Sequence, residues 1–348
     1  MEKFSKVIIR CNAGMTYGLG HLSRCLTLSQ EFQEDVPIIF LVKTDYNIIV
    51  DNFFLENNFE GEYLLFSENK TDQEEIDLIL SYDLYSNLFL VLDHYDITVA
   101  FQKKLIDFKI KWLQFDSHAK IYLYANFVLH GSLGATPQVY NTLKKNDSTT
   151  LLLGPKYSIV KKEIVKLRES TEIRTQVNKI VICFGGGNDH GLSLQILKSL
   201  ATSEFTKIRV RVAINENNPD KKEILKILDS FYDGCLIKQK ELANCMASSD
   251  LCIIAPGMIS YEAACLGLPM LLVPFVSNQI INAEGWINNE CALSIGADFQ
   301  FDRKKFCVIL KEVVNNSNLL QSLSKNCYNT VDGLGAYRTK NIIEGKKL

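Results

Sequence analysis

Val7-Ile8-Ile9-Arg10-Cys11-Asn12-Ala13-Gly14-Met15-Thr16-Tyr17-Gly18-Leu19-Gly20-His21-Leu22-Ser23-Arg24-Cys25-Leu26 is the stretch on which the fold turns. Its three branched apolar residues give a buried strand. The glycines at 14, 18 and 20 permit a tight loop, and Leu22, Cys25, Leu26, Ser29 and Phe32 then recur at helical spacing. His21 falls where that helix begins. A helix start carries unpaired N–H groups and a partial positive charge, which attract phosphate and disfavour protonation of a nearby imidazole. A neutral histidine beside an anion site is a candidate general base. The same residues also describe a phosphate-binding glycine loop whose histidine only hydrogen-bonds.

The second half restarts this grammar. Ile180 to Phe184 is a buried strand, Gly185-Gly186-Gly187-Asn188-Asp189 a loop, and Leu192, Ile196, Leu197 and Leu200 mark a helix. Two glycine-rich strand-to-helix turns predict two α/β domains facing one another, and 348 residues are enough for both. The expected division is 1–170 and 171–348, with the polar stretch Glu169 to Asn178 as linker.

Composition bounds the function. A 47% apolar and 22% charged chain is globular, and a formal net charge of −2 argues against a broad nucleic-acid or anionic-membrane surface. A polyanionic ligand must then be held by a local site. No apolar run is long enough to span a bilayer, and Met1-Glu2-Lys3-Phe4 enters a strand without a basic leader, so the expected location is the cytoplasm. The ten cysteines lie mostly in apolar runs without CxxC pairing, and read as buried thiols. No carboxylate pair or His/Cys cluster has metal-ligand spacing, so neither metal nor cofactor is expected. Nothing in the sequence sets an oligomeric state.

Between the glycine loops, strand ends carry polar tips. Leu88 to Leu92 closes on Asp93-His94-Tyr95, Trp112 to Phe115 on Asp116-Ser117-His118, and Phe127 to Leu129 on His130-Gly131-Ser132. In an open parallel sheet the ligand crevice lies at such carboxyl ends, so these tips share it with His21, unless each is a capping or satisfied loop residue. Residues 131–150 read as a loop. In the second half, Leu251 to Ala255 runs into Pro256-Gly257-Met258-Ile259-Ser260-Tyr261-Glu262. There Ser260 can cap a helix and Glu262 falls in its first turn. Glu262 has two oxygens for the vicinal hydroxyls of a ribose, or it complements the helix dipole. Gly267 ends the helix, and the strand Met270 to Pro274 leads to Asn278-Gln279 and Asn282-Ala283.

Jointly these stretches resemble the UDP-2,4-diacetamido-2,4,6-trideoxy-β-L-altropyranose hydrolase family of pseudaminic acid biosynthesis and its spore-coat polysaccharide relatives. The opening run from Arg10 to Leu26 looks like the family signature. Leu92 to Tyr95, Leu153-Gly154-Pro155-Lys156-Tyr157, Phe184 to Asp189, Ser277-Asn278-Gln279 and Asp332-Gly333-Leu334-Gly335-Ala336 match further blocks in order. The resemblance implies a glycosyltransferase-B architecture, two Rossmann-like domains with a nucleotide sugar in a central cleft. It puts the catalytic histidine at His21, activating water to release UDP from the anomeric carbon with inversion. Sugar contacts are implied at Arg10, Asn12, Gly18, Gly20, Asp93, His94 and Tyr95. Nucleotide contacts are implied at Gly185, Gly186, Gly257, Met258, Ser260, Glu262, Asn278 and Gln279. The chain departs from the family at Asn12, where an aspartate is usual, at Ser117, and at His130-Gly131-Ser132, which replaces an asparagine-rich segment.

The chemistry is compatible with these groups. UDP leaves readily as an anion, so one base and an electrostatic cradle suffice where an ordinary glycoside needs two carboxylates. Three readings stay open: a UDP-sugar hydrolase, a glycosyltransferase whose His21 deprotonates an acceptor, and a nucleotide-sugar-binding protein without turnover.

Overall fold

The computed structural model describes residues 4–32, 36–82, 87–185, 189–201, 204–296 and 301–346. The chain divides into two compact units, Met1–Ile159 with Leu334–Leu348, and Val160–Gly333. The first is built on β1 Lys6–Ala13, β2 Ile38–Thr44, β3 Glu62–Phe66, β4 Leu88–Asp93, β5 Lys111–Phe115, β6 Phe127–His130 and β7 Thr150–Leu153. They form a seven-stranded parallel sheet in the order β3-β2-β1-β4-β5-β6-β7. Its central strands are continuous apolar runs because helices cover both faces. Alternation along β1 sends Val7, Ile9, Cys11 and Ala13 to a core shared with the helix Gly20–Phe32. Ile8 goes to the opposite core, against the helices Asp72–Ser81 and Val99–Asp107.

The second unit repeats the plan. Its strands are β8 Lys179–Cys183, β9 Arg209–Ala213, β10 Gly234–Leu236, β11 Leu251–Ile254, β12 Met270–Leu272 and β13 Ala292–Ser294. They form a six-stranded parallel sheet ordered β10-β9-β8-β11-β12-β13. In each sheet the winding reverses beside the first strand, between β1 and β4 and between β8 and β11. At such a switch point adjacent loops leave in opposite directions and open a crevice.

Three expectations are corrected. The segment 131–150 is not all loop: Pro137–Leu143 is a helix, with Pro137 in its first turn and Tyr140 buried. The stretch Glu169 to Asn178 belongs to the second unit, because the buried Arg174 guanidinium donates to the carbonyls of Ala247, Ser249 and Leu266. The expected break at 170/171 thus moves to Ile159/Val160. The last helix, Gly335–Ile343, packs with the first unit through Ala336 and Ile343. Gly335 is required there, since a Cβ would come within 2.2 Å of the Ser158 carbonyl oxygen.

Candidate active site

The loop after β1 closes by a hydrogen bond from Gly14 N to Gly18 O of 3.2 Å. Gly14 has φ +146, and a Cβ on it would fall 1.9 Å from Asp45 Oδ1. That carboxylate accepts from the Met15 and Thr16 amides at 2.8 Å each. The Thr16 side chain first, and then these amides, hold the Asp45 carboxyl below its ordinary range against a small desolvation. Amides of the kind that cradle phosphate elsewhere are therefore already bound to a protein anion. Gly18 and Gly20 lie exposed beyond them. Asp45 was missed by the sequence reading, and its signal was an aspartate directly after a strand.

His21, the second residue of the helix Gly20–Phe32, is 8% exposed. Its Nδ1 lies 2.7 Å from Oδ1 of Asp93, the last residue of β4. Arg24, one turn on, forks onto the same carboxylate: Nη2 donates to Oδ1 at 2.5 Å and Nε to Oδ2 at 2.5 Å. Burial alone would raise the Asp93 pKa, but the Arg24 charge and hydrogen bonds, and then His21, hold it well below the carboxylate range. Asp93 is therefore an anion that can only accept. It fixes the Nδ1–H tautomer of His21 and leaves Nε2 as the ring atom able to take a proton. Among the described residues nothing bonds Nε2. The sequence reading put Asp93 among sugar contacts, whereas both its oxygens are filled by His21 and Arg24. Arg24 was not singled out, though its i+3 spacing from His21 places both on one helix face.

Strand alternation separates the remaining tips. Arg10, 1% exposed, bonds Glu75 Oε1 at 2.8 Å, Cys11 O at 2.8 Å and Asn12 Oδ1 at 2.7 Å, so the structure assigns it to packing. Asn12 also donates to Asp96 Oδ2 at 3.3 Å. A carboxylate at position 12 would face that of Asp96, where the amide of Asn12 donates. His94 is buried, and neither ring nitrogen has a partner. Burial and the nearby Arg10 charge keep it neutral, well below the ordinary histidine pKa. Tyr95 is exposed, its ring 4.7 Å from that of His21 and 4.7 Å from that of His118. A cavity of about 190 Å³ opens here, lined by Arg24, Asp93, Tyr95, Gln114, Asp116 and His118 among others.

In the second unit Gly185 follows β8 with φ +89, and Gly186 lies outside the described residues. Asp189 accepts from the Gly191 and Ser193 amides at 3.1 and 3.3 Å, so a protein anion again fills the amides at the helix start. The start of the helix Met258–Cys265 differs. Its cap is Gly257, no side chain caps it, and no acidic residue lies in its first turn. Ser260, expected as the cap, is inside the helix, where its hydroxyl donates to Gly257 O and accepts from Trp286 Nε1. Glu262 accordingly falls in the second turn, 3.5 Å from Lys161 Nζ. Tyr261 Oη donates to Asn282 Oδ1 at 2.6 Å, and Asn282 Nδ2 donates to Pro256 O at 2.7 Å, fixing this turn. Met258 is partly exposed, and Gln279 Oε1 accepts from Phe275 N. The Asn278 backbone lies in a single turn of 3₁₀ helix, and its side chain lies outside what is described.

Among the described residues no group of three or more His, Cys, Asp or Glu could hold a metal ion. None of their helices is long and apolar enough to cross a membrane.

No protein-family model matches the chain. It is 24% identical over 278 residues to an uncharacterised protein of Methanocaldococcus jannaschii, covering 77% of this chain and only 55%, about half, of that protein. It is 22% identical to the spore coat polysaccharide biosynthesis protein SpsG of Bacillus subtilis, over 97% of both chains. Identity is 25% to the UDP-2,4-diacetamido-2,4,6-trideoxy-β-L-altropyranose hydrolase of Campylobacter jejuni, over 79% of this chain and 93% of that one. Among solved structures, Acinetobacter baumannii MurG superposes with a TM-score of 0.64 at 12% identity, over 98% of this chain and 99% of that one. A UDP-glucosyltransferase of Polygonum tinctorium gives 0.67 at 13%, over 97% and 98%. The Neisseria meningitidis UDP-GlcNAc 2-epimerase gives 0.62 at 14%, over 98% and 100%. The chain is thus distantly similar in sequence to SpsG and the Campylobacter hydrolase, and its two parallel-sheet α/β units have the glycosyltransferase-B type of fold.

Proposed function

We propose that the chain hydrolyses a UDP-linked sugar, a 2,4-diacetamido-2,4,6-trideoxy sugar or close relative, to free sugar and UDP with inversion. His21 Nε2 takes a proton from water as its oxygen bonds to the anomeric carbon and the C1–O bond to UDP breaks. The observation that carries this is the Asp93–His21 pair at 2.7 Å. A carboxylate held in its anionic state by Arg24 both orients the ring and steadies the imidazolium formed when water is deprotonated. Nucleotide recognition is assigned to the second unit, with the uncapped helix start at Gly257 and Met258 for phosphate oxygens. Glu262 is assigned to the ribose, and Gly185, Asn278 and Gln279 to the remaining nucleotide contacts, while Ser260, buried with its hydroxyl taken by Gly257 O and Trp286, supports the turn from within. Gly18 and Gly20, exposed ahead of His21, and Tyr95, whose ring lies 4.7 Å from that of His21, are assigned to the sugar. Further support comes from the names of the relatives, one a UDP-sugar hydrolase and several neighbours enzymes of UDP-sugars.

The test is to incubate purified protein with a panel of UDP-diacetamido sugars and no acceptor, and to measure UDP. Release identifies a hydrolase. Silence until an acceptor is added identifies a transferase, and UDP binding without turnover in either case identifies a binding protein.

A further inference from the structure

The tips of β5 and β6 carry a second chain of hydrogen bonds. Ser132 Oγ lies 2.7 Å from His130 Nε2, His130 Nδ1 lies 2.5 Å from Tyr140 Oη, and Tyr140 Oη lies 2.7 Å from Asp116 Oδ2. Asp116 is a carboxylate already accepting from the Ser117, His118 and Ala119 amides, so the one hydrogen of Tyr140 points to it. The Tyr140 oxygen can then only accept, which puts the ring hydrogen of His130 on Nδ1. His130 Nε2 is therefore bare, and the hydrogen of Ser132 is committed to it. Ser132 is left with lone pairs and nothing to donate.

Its position is as closely fixed as its hydrogen. Gly131 passes so near the chain at Ser158 that a Cβ would lie 2.7 Å from the Ser158 Cα, and Ser158 Oγ donates to Gly131 O at 2.6 Å. Ser132 follows β6 at the carboxyl edge that carries Asp93 and His21, two strands from β4. Two strand spacings are about 10 Å, a span filled by a hexose ring of about 4 Å from C1 to its 4-substituent together with a contact of about 3 Å at each end, a hydrogen bond to Ser132 and the attacking water. Ser132 itself is partly exposed.

A serine hydrogen-bonded to a histidine also suggests a nucleophile, but the chain is wrong for one. Burial brings His130 down to about 4, and a neutral phenol stands between it and the carboxylate. Burial and Asp116 drive the Tyr140 pKa up, so the phenol keeps its proton and the imidazole is a feeble base.

We propose that Ser132 is a specificity-determining residue of the sugar site, a fixed hydrogen-bond acceptor that selects ligands bearing an O–H or N–H on the substituent opposite C1. His130 and Tyr140 act as positioning residues that hold it in that state. This rests on the UDP-sugar reading above. The experiment measures binding by calorimetry and UDP release for UDP-2,4-diacetamido-2,4,6-trideoxyhexoses and UDP-hexosamines in which the O–H or N–H at position 3 or 4 is kept, removed or replaced by fluorine. Ser132→Ala should lose about five- to tenfold in kcat/KM and affinity against the one donor-bearing ligand series it reads, and nothing against its deoxy and fluoro partners. Ser132→Thr should restore the discrimination. Tyr140→Phe frees the His130 tautomer, so Ser132 can donate, and the fluoro ligand should gain affinity. If Ser132→Ala weakens every ligand equally, or none, the Ser132 assignment fails while the UDP-sugar reading stands. A wild-type chain that binds none of the panel, the UDP-2,4-diacetamido-2,4,6-trideoxyhexoses included, overturns both.

Discussion

The carboxyl edges of the two sheets share a topology and differ in chemistry. The first gathers His21, Asp93, Arg24, Asp116 and His130, and its charges are matched within the protein. The second is built from Gly185, Pro256, Gly257 and Met258, with Glu262 as an acidic side chain set back in the helix. The difference is sharpest at three glycine-rich turns. Two have their amides bound by an aspartate of the chain, Asp45 in one and Asp189 in the other, and the third, at Gly257, has none. A glycine-rich strand-to-helix turn is therefore not an anion site by composition alone. What matters is whether an internal carboxylate has already taken its N–H groups.

The strongest way to break this contrast is to remove the base. His21→Ala should lower UDP release by about 10²–10⁴-fold, equivalent to about 3–5 kcal/mol of barrier, while UDP affinity stays unchanged. A fall in UDP affinity with kcat retained would move the chemistry away from the first edge. Asp93→Asn comes next. It should reduce turnover and, by leaving Arg24 buried without its partner, destabilise the fold by about 3–5 kcal/mol in urea at pH 7. The Asp93 pKa is lowered in the folded chain, so its contribution is complete above the unfolded value of about 4 and fades as pH falls below that. The gap between wild type and variant should therefore narrow below about pH 4. A gap that widens there would contradict the ion-pair assignment.

Gly257→Asp makes the third turn resemble the other two. The backbone there has φ −106 and open space around a Cβ, so the aspartate should cap the helix with a few tenths of a kcal/mol gained. UDP affinity should drop about tenfold, and equal affinity would show that phosphate does not use this helix start. The smallest effect concerns His94, a neutral ring with both nitrogens unpaired. His94→Phe should raise unfolding stability by about 1 kcal/mol, since a buried polar group without partners costs that much or more. A loss of stability would mean that the imidazole nitrogens are satisfied in solution.

Much of the fold was legible in the residues. Continuous apolar runs as short as Leu88 to Leu92 and Ile180 to Phe184, bounded by polar turns, read as strands covered on both faces, and those turns mark the carboxyl edges. The helix after Gly257 is legible in the sequence, but the cap read at Ser260 lies three residues beyond the observed one at Gly257. A serine before an apolar run reads as a cap unless Trp286, 26 residues on, claims its hydroxyl. Arg174 misled similarly: a polar stretch looks like a linker until distant carbonyls gather around one guanidinium.

Local order along the chain determined the two α/β units, the histidine at the first helix start and the glycine turns, because helix and strand periodicity and backbone freedom are properties of neighbouring residues. Only the tertiary structure decided which polar groups were already taken. Asp93 and His21 are 72 residues apart, as the hydrogen bond between them spans, and Arg10 and Glu75 are 65 apart. Hydrogen-bond capacity is consumed by whatever lies close in space, so the sequence supplies the donors and acceptors and the fold alone settles their pairing.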